Sequence, residues 1–507
     1  MWRHLKTCFQ EHHHRVLFRG PGWDRTYGEV WNAAGVKAGV WKHRYGEVLN
    51  DPRSRVYLIR DNGVTWMEEF LAAMRMDKSV VILSPKMPPR VLQEKIRQDG
   101  GGGIVCADSP LLEPVVRDGI SKTGSGTGTG NGDEPTITLV TSGSSSGVNR
   151  QNVELGTSQI LTNIRQIHER VDLQMIHPND TSFSLLPWSH CYGLTCELLC
   201  LTGRGASLYL PSRDGSMTIR QQLRTAQPTL LFAVPFLLEK ILQQLGPLSR
   251  FVKKGIAASI INRMVMGGKL RSVSVGGASM SGENLTHFEN ALGVDVYEGY
   301  GMTEASPMIS LNTRQDYRRG SVGKPLPGVE VYIDPSTDEI LVHGENIARH
   351  LDKDRYLYLN KDRWYYKTGD RGRIDQDGFL YVVDRLKDHF KLANGLFVYP
   401  QRVEQVYHKY RPLAIQQWVV FQDPRPLHSN ELVMMGILET GTPHATHHTV
   451  TKDLVEIGQN EGLSSYEIPQ TVWYTTVEEI KDMLTEKQTP RRSMLREYFA
   501  SLMDHKG

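Results

Sequence analysis

Two short stretches carry residue types suited to nucleotide chemistry. The first is Tyr297-Glu298-Gly299-Tyr300-Gly301-Met302-Thr303-Glu304. An apolar run over residues 294–297 leads into it, so it is expected as the loop leaving the carboxyl end of a strand, where open α/β sheets bind ligands. Its glycines let backbone approach a ligand closely, and its tyrosines offer flat faces on which a base can stack. Thr303 and Glu304 add a hydroxyl and a carboxylate, and a carboxylate beside phosphates suggests Mg2+. The second stretch is Thr141, Ser142, Gly143, Ser144, Ser145, Ser146 and Gly147, with Arg150 shortly after. It follows directly on a strand-like run over residues 136–140. Backbone N–H groups in such a loop form an anion nest and the hydroxyls add donors, so polyphosphate is its natural guest. No Gly-Lys-Ser/Thr stands at the spacing of a Walker loop.

The elements around these stretches alternate. Strands are expected at residues 56–60, 79–83, 101–106, 136–140, 206–211, 229–234 and 270–275. Helical spacing occupies residues 65–76, with Thr65 placed as its cap, and residues 88–98. Such alternation implies a mainly parallel sheet. From Gly323 the texture changes to short alternating strands and turns, which suggests an antiparallel unit. Residues 364–370 end in an acidic turn at Asp370, residues 375–378 form a hairpin turn, and Asp384 opens a charged break. The domain boundary is placed there, giving residues 1–383 and 384–507. Beyond it come a helix from Pro400, strands at 417–421 and 432–438, a helix at 452–460 and a basic tail over 481–496. Residues 121–133, rich in Gly, Ser and Thr, cannot offset the entropy of ordering and are expected as a flexible insertion.

The chain has 507 residues, more than one core accommodates, so two or three domains are expected. A net charge of +3 gives no ground for nucleic acid or a membrane as the main partner. No window has the roughly 18 uncharged apolar residues of a membrane span. The basic N-terminus lacks the apolar segment of a signal peptide, and the last residues match no peroxisomal or ER address. The five cysteines, Cys8, Cys106, Cys191, Cys196 and Cys200, are sparse and odd in number, which fits a reduced compartment and a cytoplasmic location. Cys196 and Cys200 share a helix face amid leucines and are expected in the core. His190, in Leu186-Pro187-Trp188-Ser189-His190, taken alone is a core histidine.

Taken together and in order, these pieces resemble the adenylate-forming superfamily, which includes acyl-CoA synthetases, firefly-type luciferases and the adenylation domains of peptide synthetases. The matching pieces are the Thr141 to Gly147 loop, the segment Pro187 to Gly193, Gly276-Gly277-Ala278, Tyr300 to Glu304, Thr368-Gly369-Asp370, and Arg385-Leu386-Lys387-Asp388 with Asn394-Gly395. The resemblance implies a large N-terminal α/β domain and a small mobile α+β C-terminal domain. It implies attack of a carboxylate on the α-phosphate of ATP, giving acyl-AMP and pyrophosphate, and then transfer of the acyl group to a thiol, usually coenzyme A.

Position by position, it assigns the loop Thr141 to Gly147, with Arg150, to the β- and γ-phosphates. Gly277, Ala278, Glu298, Gly299 and Tyr300, continuing into Gly301 and Met302, would line the nucleotide pocket. Thr303 would meet the α-phosphate and Glu304 would bind Mg2+. Asp370 and Arg385 would hold the ribose hydroxyls, Lys387 would be the hinge, and Gly395 would approach the pantetheine arm. His190 would lie where acyl group and pantetheine meet. The segment around Leu186 to His190, with Glu197, and the segment from Lys387 to Pro400 look closest to fatty acyl-CoA synthetases, which favours a medium- or long-chain fatty acid. A lipid substrate would bring transient contact with a membrane surface.

Two departures stand out. The family's phosphate loop normally ends Gly-x-Pro-Lys-Gly, whereas Val148, Asn149 and Arg150 follow Gly147 here, and Arg binds phosphate with a different shape from Lys. The family's C-terminal lysine aligns with Thr489, and Lys487 stands two residues early. In an extended tail that shift moves the charge by about 6–7 Å. Three readings follow: an acid–CoA ligase with Lys487 or Arg491 serving; a degenerate adenylating fold that binds nucleotide or acyl ligands with slow turnover; and an acyl-AMP ligase with a non-CoA acceptor.

Overall fold

The short apolar runs become strands because both faces of each are covered. Arg55–Ile59, for example, is buried at four consecutive positions, the pattern of a strand between two layers of helix. The structure is a computed structural model, and it describes the chain apart from residues 88, 99–102, 108–134, 141–151, 278–279, 281, 349–356, 361–362, 387–389, 393–396, 399, 411–414, 426–427, 429, 439–447, 450–451, 485–488 and 505–507. The expected insertion at 121–133 therefore lies outside the described residues. So do Thr141, Ser142, Gly143, Ser144, Ser145, Ser146, Gly147, Arg150, Ala278, Lys387, Gly395 and Lys487.

Two sheets dominate the first part. In the smaller, the order is Gly103–Ala107, Arg55–Ile59, Ser79–Ile82, Thr136–Val140, Asn152–Gly156; all pairs are parallel except the last. The larger sheet has nine strands among the described residues. Its parallel centre runs Asp295–Gly301, Ser272–Val275, Leu230–Ala233, Thr181–Phe183, Ser207–Tyr209, then Val16–Gly20. One face packs on helix Thr157–Arg170 within the largest apolar cluster, and the other on helices Pro235–Leu245, Ile256–Met266 and Gly282–Leu292. An antiparallel sheet follows, built from Glu330–Ile333, Glu339–His343, Leu357–Asn360, Arg363–Ile374 and Leu380–Arg385. Two further apolar clusters draw only on residues beyond Phe390, around the sheet of Ile415–Gln422, Leu432–Leu438, Thr471–Thr476 and His448–Thr449.

Several local expectations need correction. Residues 299–301 do not form a loop: the strand Asp295–Gly301 runs on through them. It pairs parallel with Ser272–Val275 as far as Glu298 and then antiparallel with Met308–Leu311 from Gly299. Gly301 is what allows this, since a Cβ there would lie 1.9 Å from the Pro307 carbonyl oxygen. Asp370 sits inside the strand Arg363–Ile374, not in a turn, and Asp384 pairs with Arg371 in the ladder instead of marking a break. Thr65 does not cap its helix; Val64–Arg75 starts one residue earlier, on Gly63, with no side-chain cap. At the tail, Leu484 bridges to Pro490 and Arg492–Asp504 is a helix, while residues 485–488 between them lie outside the described residues.

The approach at Gly301 predicts a directional result. Gly301→Ala should lower stability by roughly 1–3 kcal/mol through overpacking. Gly39→Ala, in helix Tyr27–Leu49 with nothing within 4 Å of the added carbon, should raise it by about 0.5–1 kcal/mol. Thermal melts of the two variants beside the parent would check both signs.

Candidate nucleotide and acyl site

Carboxyl ends of the central strands bring the marked residues together. Val275 pairs with Glu298 in register, so Gly276 and Gly277 leave one strand beside the point where the next turns antiparallel. Gly277 has φ +82°, a left-handed conformation in which a side chain is strained. A Cβ on Gly276 would come within 3.3 Å of the Tyr192 ring, so backbone, not side chain, faces the space there. Tyr192 is itself fixed: its hydroxyl donates to the Ser274 carbonyl oxygen at 2.9 Å. Burial pushes the Tyr192 hydroxyl above its usual range.

Tyr300 links two sheets. Its hydroxyl donates to Asp370 Oδ2 at 2.7 Å, and Arg385 Nε donates to Asp370 Oδ1 at 3.1 Å. Asp370 is buried and its backbone N–H donates to the Thr368 hydroxyl. Burial first, then the Asp370 carboxylate, pushes the Tyr300 hydroxyl up and keeps it a donor. Burial likewise raises Glu298, to about 7, against the pull of Arg319. Glu304 is raised mainly by burial, with Arg385 opposing.

Beyond Gly301 the chain makes a tight turn, Thr303–Ala305, held from several sides. Met302 N–H donates to the Pro307 carbonyl oxygen, and Asn346 Nδ2 donates to the Ala305 carbonyl oxygen at 2.8 Å. Asn163 clamps the backbone of Met308, donating to its carbonyl oxygen at 2.8 Å and accepting from its N–H at 3.0 Å. Thr303 Oγ1 lies 3.3 Å from Cys191 Sγ, which brings the His190 segment against the Thr303 turn.

That segment is pinned by residues the sequence did not mark for a role. Asn62 Nδ2 donates to the Leu186 carbonyl oxygen at 2.7 Å, and Asn62 Oδ1 accepts from Trp188 N–H at 2.9 Å. The Trp188 ring packs edge-on to Trp66. After His190 the chain forms a π-helix, Tyr192–Leu199, a wider coil often found at functional sites. Within it Glu197 is fully buried, its carboxyl oxygens 2.7 Å from Ser182 Oγ and 3.0 Å from Ser184 Oγ. Burial raises it to about 8, only partly offset by the two serines. Glu197 is thus a protonated acid at neutral pH that ties the coil to strand Thr181–Phe183. Cys196 and Cys200 are buried, as expected of core residues, and Cys191 is buried beside Thr303.

Among the described residues the one set of three metal-capable groups is Asp423, His428 and Glu431, away from this site. Glu304 would therefore hold a cation only together with oxygens of a bound phosphate, which suits Mg2+. Beside the site lies a partly open apolar cavity of about 50 Å3, lined by Ile167, Cys196, Phe232, Tyr297, Met308 and Leu311 among others.

The state of Glu197 can be tested by stability against pH. Its folded pKa lies above that of an exposed glutamate, so the native state holds a proton that the unfolded chain releases. Its contribution to stability therefore falls as pH rises from about 4.5 to about 8. Glu197→Gln keeps the shape and the hydrogen bonding but cannot ionise. Its melting temperature relative to the parent should rise steadily over that window in a pH series of thermal melts. A constant difference across the window would contradict the buried acid.

Comparison with known proteins bears on the family and the fold. The family model of the AMP-binding enzyme matches residues 7–349. The long-chain-fatty-acid–CoA ligase 1 of Cavia porcellus is 27% identical over 395 residues, covering 65% of this chain and 55% of that protein. The oxalate–CoA ligase of Arabidopsis thaliana is 26% identical over 363 residues, covering 68% of this chain and 64% of that protein. The chain thus spans little more than half the length of the first of these relatives. Among solved structures, an anthranilate CoA ligase in complex with anthranoyl-AMP superposes with a TM-score of 0.74 at 17% identity, covering 98% of both chains. A mixed α/β fold with a large N-terminal and a smaller C-terminal part, shared with adenylate-forming enzymes, and a family match over residues 7–349 lead to one conclusion: this chain belongs to the AMP-binding enzyme family.

Proposed function

We propose that the protein is an acid–CoA ligase that activates a carboxylic acid with ATP, and that the acid is a medium- or long-chain fatty acid. The observation that carries this reading is the group Tyr300, Asp370 and Arg385 beside the turn Thr303–Ala305, with an apolar cavity on one side. Asp370 offers a carboxylate, and Arg385 donors, to ribose hydroxyls. Gly276, whose backbone lies against the Tyr192 ring, and Gly277, in a left-handed conformation, would present main chain to a base.

In the first half-reaction a carboxylate oxygen bonds to the α-phosphorus as the bond to pyrophosphate breaks. Negative charge gathers on the phosphoryl oxygens, and donors placed there in advance lower the barrier. Thr303 would serve as a donor to that charge, and the loop Thr141 to Gly147 with Arg150 would serve the leaving pyrophosphate. Mg2+, held by Glu304, would neutralise phosphate charge. In the second half-reaction a thiolate sulfur bonds to the acyl carbon and AMP leaves. His190, beside the Thr303 turn through Cys191, orients the acyl carbonyl where the pantetheine arm arrives past Gly395. Residues 384–507 act as the mobile cap, turning at Lys387. The apolar lining favours a hydrocarbon acid over a polar one. Its present volume holds roughly three or four small groups, so a long chain requires the lining to open.

Thr489 in place of the family's lysine favours a second reading, a nucleotide- and acyl-binding protein with slow turnover. Pyrophosphate release from ATP with a panel of fatty and aryl acids, with and without coenzyme A, separates the two. The ligase reading expects acid-dependent release, highest with fatty acids. It expects Lys487→Ala to lower release by roughly 10²–10³-fold. Release unchanged in that variant transfers the role to Arg491. ATP binding without release for any acid establishes the second reading. Tyr300→Phe should raise the KM for ATP roughly 10–150-fold, the cost of one hydrogen bond to a charged partner.

A further inference from the structure

The face of the molecule formed by Pro247–Phe251 and helix Ile256–Met266 has an unusual surface. Leu248 is 79% exposed, Phe251 83% and Ile256 84%, with Ile260 and Met264 more than half exposed. Ile256, Ile260 and Met264 fall at i, i+4 and i+8, one stripe of the helix. The opposite stripe, Ala258, Asn262, Val265 and Met266, is buried, and Asn262 Nδ2 donates to the Leu270 and Leu292 carbonyl oxygens. The helix is thus anchored on one side and presents apolar side chains to solvent on the other.

Along the sequence of this stretch the charges have one sign, although Asp295, Glu239 and Glu283 stand on neighbouring elements. Residues 240–282 contain Lys240, Arg250, Lys253, Lys254, Arg263, Lys269 and Arg271 and no Asp or Glu. Arg271 is committed to Asp180 and Lys254 to Asp295, while Arg250, Lys253, Arg263 and Lys269 are exposed. Exposed Phe, Leu and Ile ringed by cations is the pattern of an interfacial helix. A second copy of the chain fits less well. A helix of 11 residues is about 16 Å long, and five apolar side chains fall short of the roughly 800 Å2 per partner of a stable interface. Like cations on both copies would also repel.

We propose that this face docks on an anionic lipid bilayer, with Leu248, Phe251 and Ile256 entering the headgroup boundary and Arg250, Lys253, Arg263 and Lys269 meeting lipid phosphates. The purpose of such contact, delivery of a lipid acid, rests on the fatty-acid ligase reading; the surface itself rests on exposure and charge. Lys254 reaches Asp295, the first residue of its strand, so this face is at the amino ends of the central strands. The candidate site is at their carboxyl ends. Docking therefore leaves the site facing away from the bilayer.

The test is co-sedimentation of the full chain with vesicles of phosphatidylcholine alone or mixed with phosphatidylserine, at low and high salt. The proposal expects binding to the mixed vesicles that weakens with salt. Each cation near an anionic surface is worth about fivefold in partitioning, so Lys253→Glu with Arg263→Glu should lower binding at least about 20-fold. Phe251→Ser with Ile256→Ser should lower it at least tenfold. Pyrophosphate release with a soluble short acid should be unchanged in both variants. The proposal is overturned by absent binding to the mixed vesicles, by equal binding in both variants, or by a dimer in sedimentation velocity that both variants disperse. Vesicle binding that behaves as expected alongside no pyrophosphate release sinks the ligase reading and leaves the docking face standing.

Discussion

The candidate site depends on one close approach of backbone to backbone. Where the strand Asp295–Gly301 leaves its parallel neighbour, Gly301 comes so near the Pro307 carbonyl that no side chain fits between them. That contact lets a single strand belong to a parallel ladder at one end and an antiparallel one at the other. It also aims Tyr300 at Asp370 across a gap between sheets and starts the turn that carries Thr303 and Glu304. Without it the tyrosine, the aspartate and the turn would belong to separate layers.

Polar side chains then hold what the backbone has arranged. Asn62 and Asn346 each give hydrogen bonds to main-chain groups in irregular segments, and Asn163 does so at Met308, where a strand begins after the bend. Buried main-chain groups without partners are costly, so each asparagine makes a bent segment tolerable in one conformation. Glu197 does the same for the coil after His190, as a neutral acid between two serines. These residues sit behind the groups expected to touch ligands, and their effect is to limit where those groups can go.

Much of this was legible in the sequence. Apolar runs ending in Gly or Pro marked most parallel strands to within one or two residues, because burial on both faces leaves little choice of composition. The grouping of Tyr300, Thr303 and Glu304 was legible because glycines and hydroxyls rarely follow a strand without reason. The continuation of the strand through Gly301 was not, since it depends on Met308–Leu311 folding back. Asp370 looked like a turn residue because Lys-Thr-Gly-Asp has turn composition; the ladder with Leu380–Arg385 overrides it. The roles of the asparagines were invisible because a side chain that caps a distant backbone leaves no local pattern. The π-helix was invisible for a similar reason: its composition is that of any buried helix.

The π-helix has a consequence for how this region can change. Such a coil is what an α-helix becomes when it takes in one extra residue, and it spreads the surplus over a wider turn. Tyr192 and Glu197 are both used in that geometry, the first against Ser274 and the second against Ser182 and Ser184. Deleting one residue between them would restore an ordinary helix but swing one of the two about 100° away from its partner. Point substitutions can therefore accumulate around the cavity, while the length of this coil stays locked by contacts at its two ends.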